Sequence, residues 1–417
     1  MSNFGILCKT EFKKILCKKA IWITLVLGLA FILVADMSDI LFNESYYYGD
    51  LKVPIAQIER MGIENSKEVN GKPMDEAFYE RFRLQMSDEL EAQKDNPAVL
   101  NDPSSLDAGY PGFWPVAELT GNSWFVQNEI RRIGASNDER YNLLMKGSVE
   151  EIEAAKRNKL EINVTYDCPK EDEADYWMSR YDSIPKPYIY SYGHGYYKYF
   201  SSSFVTIWLS FLIILIGLAG SFADENTFRT DALILSSRYG RKRICRAKLL
   251  VGLCFSVIST MVIMIICFVI PMLVYGAEGW NTPVQNALIG CAFNMTIGQA
   301  VILTFVFGIL VSLLWGSTVM LLSFGFKNIV PVMAIHAAAL MLSVFNLPDS
   351  MGIISQIWAL KPAYFVYQGM FMEYRLFNIA GLLINNLQMA AVVFILVTVI
   401  SVVATARFYR NVQVASR

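Results

Sequence analysis

Residues 279–326 read GWNTPVQNALIGCAFNMTIGQAVILTFVFGILVSLLWGSTVMLLSFGF, forty-eight positions without one Asp, Glu, Lys or Arg. A helix needs about 20 apolar residues to cross a bilayer, and charge inside it is costly. The stretch is therefore membrane sequence, and it is too long for one span. It divides into a span at 299–323 and a short apolar helix at 283–296, lying at or dipping into the membrane face. Further spans are expected at 329–347 and 387–406 downstream, and at 249–275, 201–222 and 20–36 upstream. Between the last two spans, 348–386 is apolar but broken by Pro362 and charged at Lys361, Glu373 and Arg375. It suits paired interfacial or re-entrant helices better than a full crossing. The expected fold is an all-α polytopic membrane protein with six transmembrane helices.

The first of these segments is short enough to compete with a signal peptide. The region before it is 19 residues long and no A-x-A-like site follows, so it is read as a retained span.

Charge divides the chain in two. The 37–200 region carries 18 Lys/Arg against 29 Asp/Glu, whereas the remainder carries 18 against 8. The overall net charge of −1 hides an acidic insert and an apolar part with basic connections. Basic residues collect before the first span (Lys9, Lys13, Lys14, Lys18, Lys19), after the second (Arg229, Arg238, Arg241, Lys242, Arg243, Arg246, Lys248) and in the tail (Arg407, Arg410, Arg417). The positive-inside bias then puts both termini in the cytoplasm and the insert outside. A bacterial cell membrane is the natural setting. Nothing points to nucleic acid.

The 37–200 insert reads as a mostly helical domain. Phe78, Phe82, Met86 and Leu90 fall four apart, on one face of a helix over 74–95. Ser148 and Glu151 form a capping box opening a helix to about 161. Residues 101–115 are rich in Pro, Gly and Asp and read as loop. Only one of the seven cysteines, Cys168, lies in the insert, so no disulfide can form within it. Tyrosines crowd both of its ends, at 46–48 and at 188–199. An aromatic belt at headgroup level is the ordinary use of such rings; an entrance for an amphiphile is the sharper alternative. His194, between Gly193 and Gly195, is expected in a loop.

Residues 222–248 read FADENTFRTDALILSSRYGRKRICRAK. An acidic residue follows a span, a Thr stands five residues on, a short apolar helix is expected over 226–235, and Lys248 opens the next span. The basic run alone would serve as a topology anchor that attracts anionic lipid. The whole pattern resembles the type-2 ABC exporter permease family. There the form is E-x-x-x-G-T, a leucine-rich helix, a turn, an Arg and a Lys. Glu225, Thr230, Leu233, Leu235, Arg238 and Lys248 fall on those positions, while Arg229 replaces the usual Gly. The resemblance implies that 223–248 is a cytoplasmic coupling loop docking a separate nucleotide-binding subunit. ATP and Mg would sit on that partner, and a second permease copy or sister permease would complete the transporter. In agreement, no G-x-x-x-x-G-K-[ST] phosphate loop is present.

Residues 1–19 support this independently. Phe4, Leu7, Cys8, Phe12, Ile15 and Leu16 recur at three- and four-residue spacing with lysines opposite, an amphipathic helix for the inner interface. His336 is the one ionisable residue well inside a span, hence a candidate pathway residue. A neutral histidine bonded to a neighbouring helix explains it as well. Ser312, Ser317, Ser323 and Gln299 suit helix joining. No metal site is expected from two histidines. A second class of function, a membrane-anchored receptor or scaffold acting through the insert, makes the opposite prediction: damage to the 223–248 loop would be silent. Nothing resembles the site of an intramembrane enzyme.

Overall fold

The computed structural model describes residues 3–48, 51–100, 113–134, 136–168, 170–227, 240–326, 328–348 and 351–411. The chain opens with α1 (Asn3–Leu16) and, after a sharp turn at Cys17, α2 (Lys19–Leu41). The insert follows as a hairpin, β1 (Ser45–Tyr48) and β2 (Leu51–Pro54), then α3 (Ile55–Ser66), α4 (Glu76–Ala92), α5 (Pro97–Leu100), α6 (Phe113–Leu119), α7 (Ser123–Ile133), α8 (Asn137–Lys146), α9 (Val149–Asp167) and α10 (Glu171–Asp182). The bundle resumes with α11 (His194–Leu218), α12 (Gly220–Thr227), α13 (Cys245–Tyr275), α14 (Ile297–Phe326) and α15 (Ile329–Ser343). A short α16 (Ile353–Ala359), two 3-10 turns, the hairpin β3 (Leu376–Ile379) and β4 (Leu382–Asn385), and α17 (Asn386–Asn411) complete it.

Five segments among the described residues are long and apolar enough to cross a membrane: Lys19–Ser38, His194–Thr227, Lys242–Tyr275, Ile297–Phe326 and Asn386–Asn411. The expected crossing at 329–347 is different. Its helix α15 has 15 residues and reaches about 22 Å at 1.5 Å per residue, short of a hydrocarbon core of about 30 Å. The helix stops at Ser343 although Val344 and Phe345 are as apolar as what precedes them. There Trp358 Nε1 donates to the Phe345 carbonyl at 2.8 Å and Lys361 Nζ at 3.0 Å, giving that carbonyl partners outside any helix.

Helices α11, α13 and α14 form the centre, with α17 against α14 and α2 against α11. Small residues let them close up: a Cβ at Gly316 would collide with Ser256, and one at Gly217 would strike the Phe255 ring. Phe211 and Trp315 stack at 4.4 Å, and the indole donates to the Phe211 carbonyl. Helix α2 is peripheral, with Trp22, Ile23, Val26, Leu27 and Phe31 all at least half exposed.

The insert is mostly helical, as its periodicity predicts. Asp75 caps α4 by accepting from Phe78 N at 3.0 Å. The Ser148–Glu151 capping box is present, and α9 runs on to Asp167 rather than ending near 161. Residues 113–115 start a helix, and 101–112 lie outside the described residues. All seven cysteines are free.

Four further expectations are corrected. The 283–296 segment is no helix but a buried loop with one 3-10 turn at Val284–Asn286. The Gln285 side chain explains why: its amide donates to the Cys291 and Phe293 carbonyls, and Val284 N bonds Met295 O, closing the loop on itself. The 348–386 segment holds one short helix and a β-hairpin instead of paired helices. The hairpin turns at Ala380 and Gly381, both at positive φ (53° and 88°), and Asn378 Oδ1 accepts from Gly381 N. The segment nevertheless re-enters the bundle. Phe365 stacks on Phe307 at 5.6 Å and meets Phe394 at 5.3 Å. Those rings lie about 12–15 Å along α17 and α14 from the insert end. Finally, the second tyrosine cluster is not a lipid-facing belt. All of Tyr188, Tyr190, Tyr192, Tyr196 and Tyr199 are buried, Tyr188 and Tyr190 in the insert core, Tyr192 and Tyr196 where insert meets bundle and Tyr199 within the bundle, whereas Tyr46 and Tyr47 are exposed. Helix α11 begins seven residues before the expected span, so His194 starts a helix rather than sitting in a loop.

Candidate functional site

At the end of the bundle away from the insert, α11 stops at Leu218 and the chain restarts as α12 after Ala219. A helix end leaves backbone groups without partners. Here three other elements take them. Lys18, in the turn between α1 and α2, donates to the carbonyls of Ile216 (3.2 Å) and Gly217 (2.9 Å), a cation at a helix C-terminus. Ser323 Oγ, from α14, accepts from Phe222 N and Ala223 N at 3.1 Å each and donates to Ala219 O at 2.7 Å. Lys248, in the first turn of α13, donates to Ser221 O.

Lys248 also holds the acidic end of the motif. Its ammonium lies 2.6 Å from Glu225 Oε1 and 3.9 Å from Glu11 Oε2, and over the Phe222 ring at 5.2 Å. Glu11 pairs with Lys14 at 2.6 Å on α1. The Lys248 and Glu225 side chains are 4% and 11% exposed, so the pair is largely shielded from water. The six charged groups Glu11, Lys14, Lys18, Asp224, Glu225 and Lys248 line one cavity of about 420 Å³. Three cations face three carboxylates, a balance that suits a structural joint and not capture of a phosphate. Burial holds the Lys18 ammonium below the ordinary lysine value, against the pull of Asp224.

The structure thus brings Glu225 and Lys248 together across a loop of more than twenty residues. Thr230, Leu233, Leu235 and Arg238, and most of the expected 226–235 helix, lie outside the described residues. Sequence reasoning missed Lys18 and Glu11 as members of this junction. It read Ser323 only as a helix joiner; a small hydroxyl in an apolar span was the available signal. His336 stands elsewhere, on α15. Its Nδ1 lies 2.9 Å from its own helix's Val332 carbonyl, its Nε2 3.4 Å from Thr318 Oγ1 of α14, and its ring is edge-on to Trp315. Among the described residues no group of three or more His, Cys, Asp or Glu could hold a metal.

A family model described as ABC-2 family transporter protein matches residues 6–411. The chain belongs to the ABC-2 transporter family. No curated protein and no solved structure matches it. The matched range runs from α1 to the end of α17 and so encloses the insert. Membership makes the chain a multi-pass membrane permease subunit of an ABC transporter, in a family whose ATPase lies in a separate subunit.

At its other end the ABC-2 permease joins bundle to insert through a second cluster. Glu59 Oε2 accepts from Tyr192 OH at 2.9 Å and sits 2.9 Å from His194 Nδ1. Trp124 stacks on His194 at 4.5 Å, Tyr275 lies 5.1 Å away, and Tyr275 OH donates to the Asp36 carbonyl. Helices α2, α3, α7, α11 and α13 all contribute. The insert is also clamped to the re-entrant segment: Cys168 Sγ (2.9 Å) and Trp177 Nε1 both donate to Tyr374 O, and the Tyr374 hydroxyl donates to Gly290 O. Its own core holds a buried ionic cluster, Glu129 with Lys156 at 2.8 Å, Arg132 at 3.2 Å and Tyr79 OH at 2.9 Å.

Proposed function

We propose that the chain is the permease subunit of an ATP-driven exporter moving a hydrophobic or amphiphilic cargo across a bacterial cell membrane. ATP and Mg are bound by a separate nucleotide-binding subunit. That subunit docks on the 223–248 loop, with α1 beside it, and a second permease copy or a sister permease completes the pathway. The observation that carries this reading is the junction of Glu225, Lys248, Glu11 and Lys18, which ties both ends of the loop and α1 to the break after α11. A push on the loop would reach α1, α11, α13 and α14 at once. Such differential contact in two states is what coupling needs.

The basic residues around this junction favour a cytoplasmic face, with both termini there and the insert outside. That arrangement needs an even number of crossings. Helix α15 supplies the sixth: it turns back along α14 and is met partway by the re-entrant segment, so a short helix and a descending loop together traverse the apolar layer. Surrounding lipid contacts the exposed apolar faces of α2, α13 and α17.

The test is a pull-down of tagged protein from its native membrane in mild detergent, with ATPase activity assayed on the eluate. Wild type is compared with Leu233→Asp plus Leu235→Asp. A co-purifying ATP-binding subunit lost in the double variant is the expected result. A monodisperse protein without any ATPase would move the function to the insert, as a receptor or scaffold.

A further inference from the structure

Beside the re-entrant segment lies a cavity of about 350 Å³ whose lining includes Phe211, Trp315, Leu340, Leu342, Trp358 and Lys361. Phe211, Trp315 and Leu340 form a buried floor, while Leu342 and Ile357 at the rim are exposed. Among the described residues, Lys361 is the only charged one in the lining. Its depth follows from its partner. Phe345 O, which its ammonium reaches, lies two residues past the end of α15 and about 24 Å from that helix's start, near the far edge of an apolar layer of about 30 Å.

A cation set against apolar surface is ordinarily paired. The Lys361 ammonium bonds only neutral acceptors, Phe345 O at 3.0 Å and Asn346 Oδ1 at 2.5 Å, with the Tyr364 ring 5.7 Å away. The carboxylate whose charge acts on it, Glu373, is shared with Arg375 at 3.7 Å. Capping the end of α15 does not require the charge, because Trp358 Nε1 already donates to the same Phe345 carbonyl. An ammonium has three N–H donors, and two are used. An apolar cavity of ordinary ligand size, open at the side and holding one cation with a free N–H, has the composition of a site for an apolar tail and an anionic head.

We propose that this cavity binds an anionic amphiphile, its carboxylate or phosphate on Lys361 and its tail over Phe211, Trp315 and Leu340. The site goes beyond the permease reading and stands on this chain alone, so it is tested without any ATPase. The full-length protein in maltoside detergent is titrated with brominated stearic acid and with brominated phosphatidylglycerol, and tryptophan quenching is read. Brominated methyl stearate and phosphatidylcholine are the uncharged and zwitterionic controls. Saturable quenching by the anionic probes and not by the controls is expected. Saturation by stearate alone identifies a free acid, and saturation by phosphatidylglycerol alone a lipid headgroup. Lys361→Met should weaken binding roughly tenfold or more, the loss of one charge-assisted contact, and Lys361→Arg should retain it. Ala339→Phe fills the cavity while leaving Lys361 in place and should abolish binding as well, which keeps the site testable even if Lys361→Met does not fold. Equal quenching by the methyl ester, or unchanged binding in both Lys361→Met and Ala339→Phe, overturns the proposal.

Discussion

Lys248→Met strips the Glu225 carboxylate of an ammonium 2.6 Å away in a largely shielded site. Two unit charges at that distance attract by about 6 kcal/mol at an effective dielectric of about 20. Desolvation of both charges cancels much of this, so the intact pair is worth far less than its Coulomb energy. Removing one partner is the costly change, about 3–5 kcal/mol, because the remaining charge stays out of water. Lys248 also loses its bond to Ser221 O and its second carboxylate, Glu11, which places the variant toward the upper end of that range. Glu225→Gln should cost less, since an amide oxygen still accepts and Lys248 keeps Glu11 and Ser221. The assay is a double-variant cycle read by equilibrium SDS titration of the full-length protein in mild detergent. If the pair holds α12 to α13, the double variant recovers at least about 1 kcal/mol relative to the sum of the singles. Additivity within about 0.5 kcal/mol would refute the argument that these two side chains act as one unit.

Ser323→Ala leaves two N–H groups and one carbonyl without their partner at the break after α11 and should cost about 2–4 kcal/mol. Ser317→Ala, whose hydroxyl bonds only its own helix at Leu314 O, should cost less than about 1 kcal/mol by the same titration; equal costs would remove Ser323 from the junction. In the insert, Glu129→Gln takes the paired carboxylate from buried Arg132 and leaves Lys156 with Glu153 alone at 2.8 Å, and should destabilise it by about 3 kcal/mol. Burial alone would raise the Glu129 carboxyl, but Lys156 and Arg132 outweigh it and hold it below the ordinary range. Its stabilisation is therefore complete above about pH 4.3 and is lost as pH falls through the lower folded value, a loss the Gln variant should not show. Burial pushes the Cys168 thiol up to about 12, so maleimide should leave it unmodified at neutral pH until the insert unfolds, while exposed Cys17 reacts. Cysteines placed at Asn346 and Lys242 should label from opposite sides of the membrane; labelling from one side would remove the sixth crossing.

The long membrane helices were legible because apolar run length alone specifies them, and the insert's α4 and α9 because periodicity and a capping box mark their faces and starts. Helix α15 was overextended for a reason hydropathy cannot see. Its end is set by Trp358 and Lys361, donors brought in from another segment. The 283–296 loop looks like a helix by composition, and what prevents one is the Gln285 amide bonding two carbonyls of the loop. The Ala380–Gly381 turn carries only half of the usual glycine or asparagine signature. Of the junction, Glu225 and Lys248 were readable from the spacing of a resembling family. Lys18, Glu11 and Ser323 were not, because they meet the others only through packing of distant helices. The buried tyrosines mislead for a similar reason: an amphipathic ring is as well suited to a protein seam as to a headgroup layer.

The grip on Tyr374 has a bearing on modularity. Cys168 and Trp177 belong to the insert, yet the carbonyl they share lies about two hundred residues further along the chain, on the segment that returns from inside the bundle. An insert between two spans looks like a cassette that could be lifted out and transplanted. This one is cut to fit a loop at the far end of the sequence. A chimaera receiving 37–193 alone would present those donors to a foreign surface. A graft that keeps its shape would have to bring 362–385 with it, and the two pieces are expected to change together wherever the insert has been remodelled.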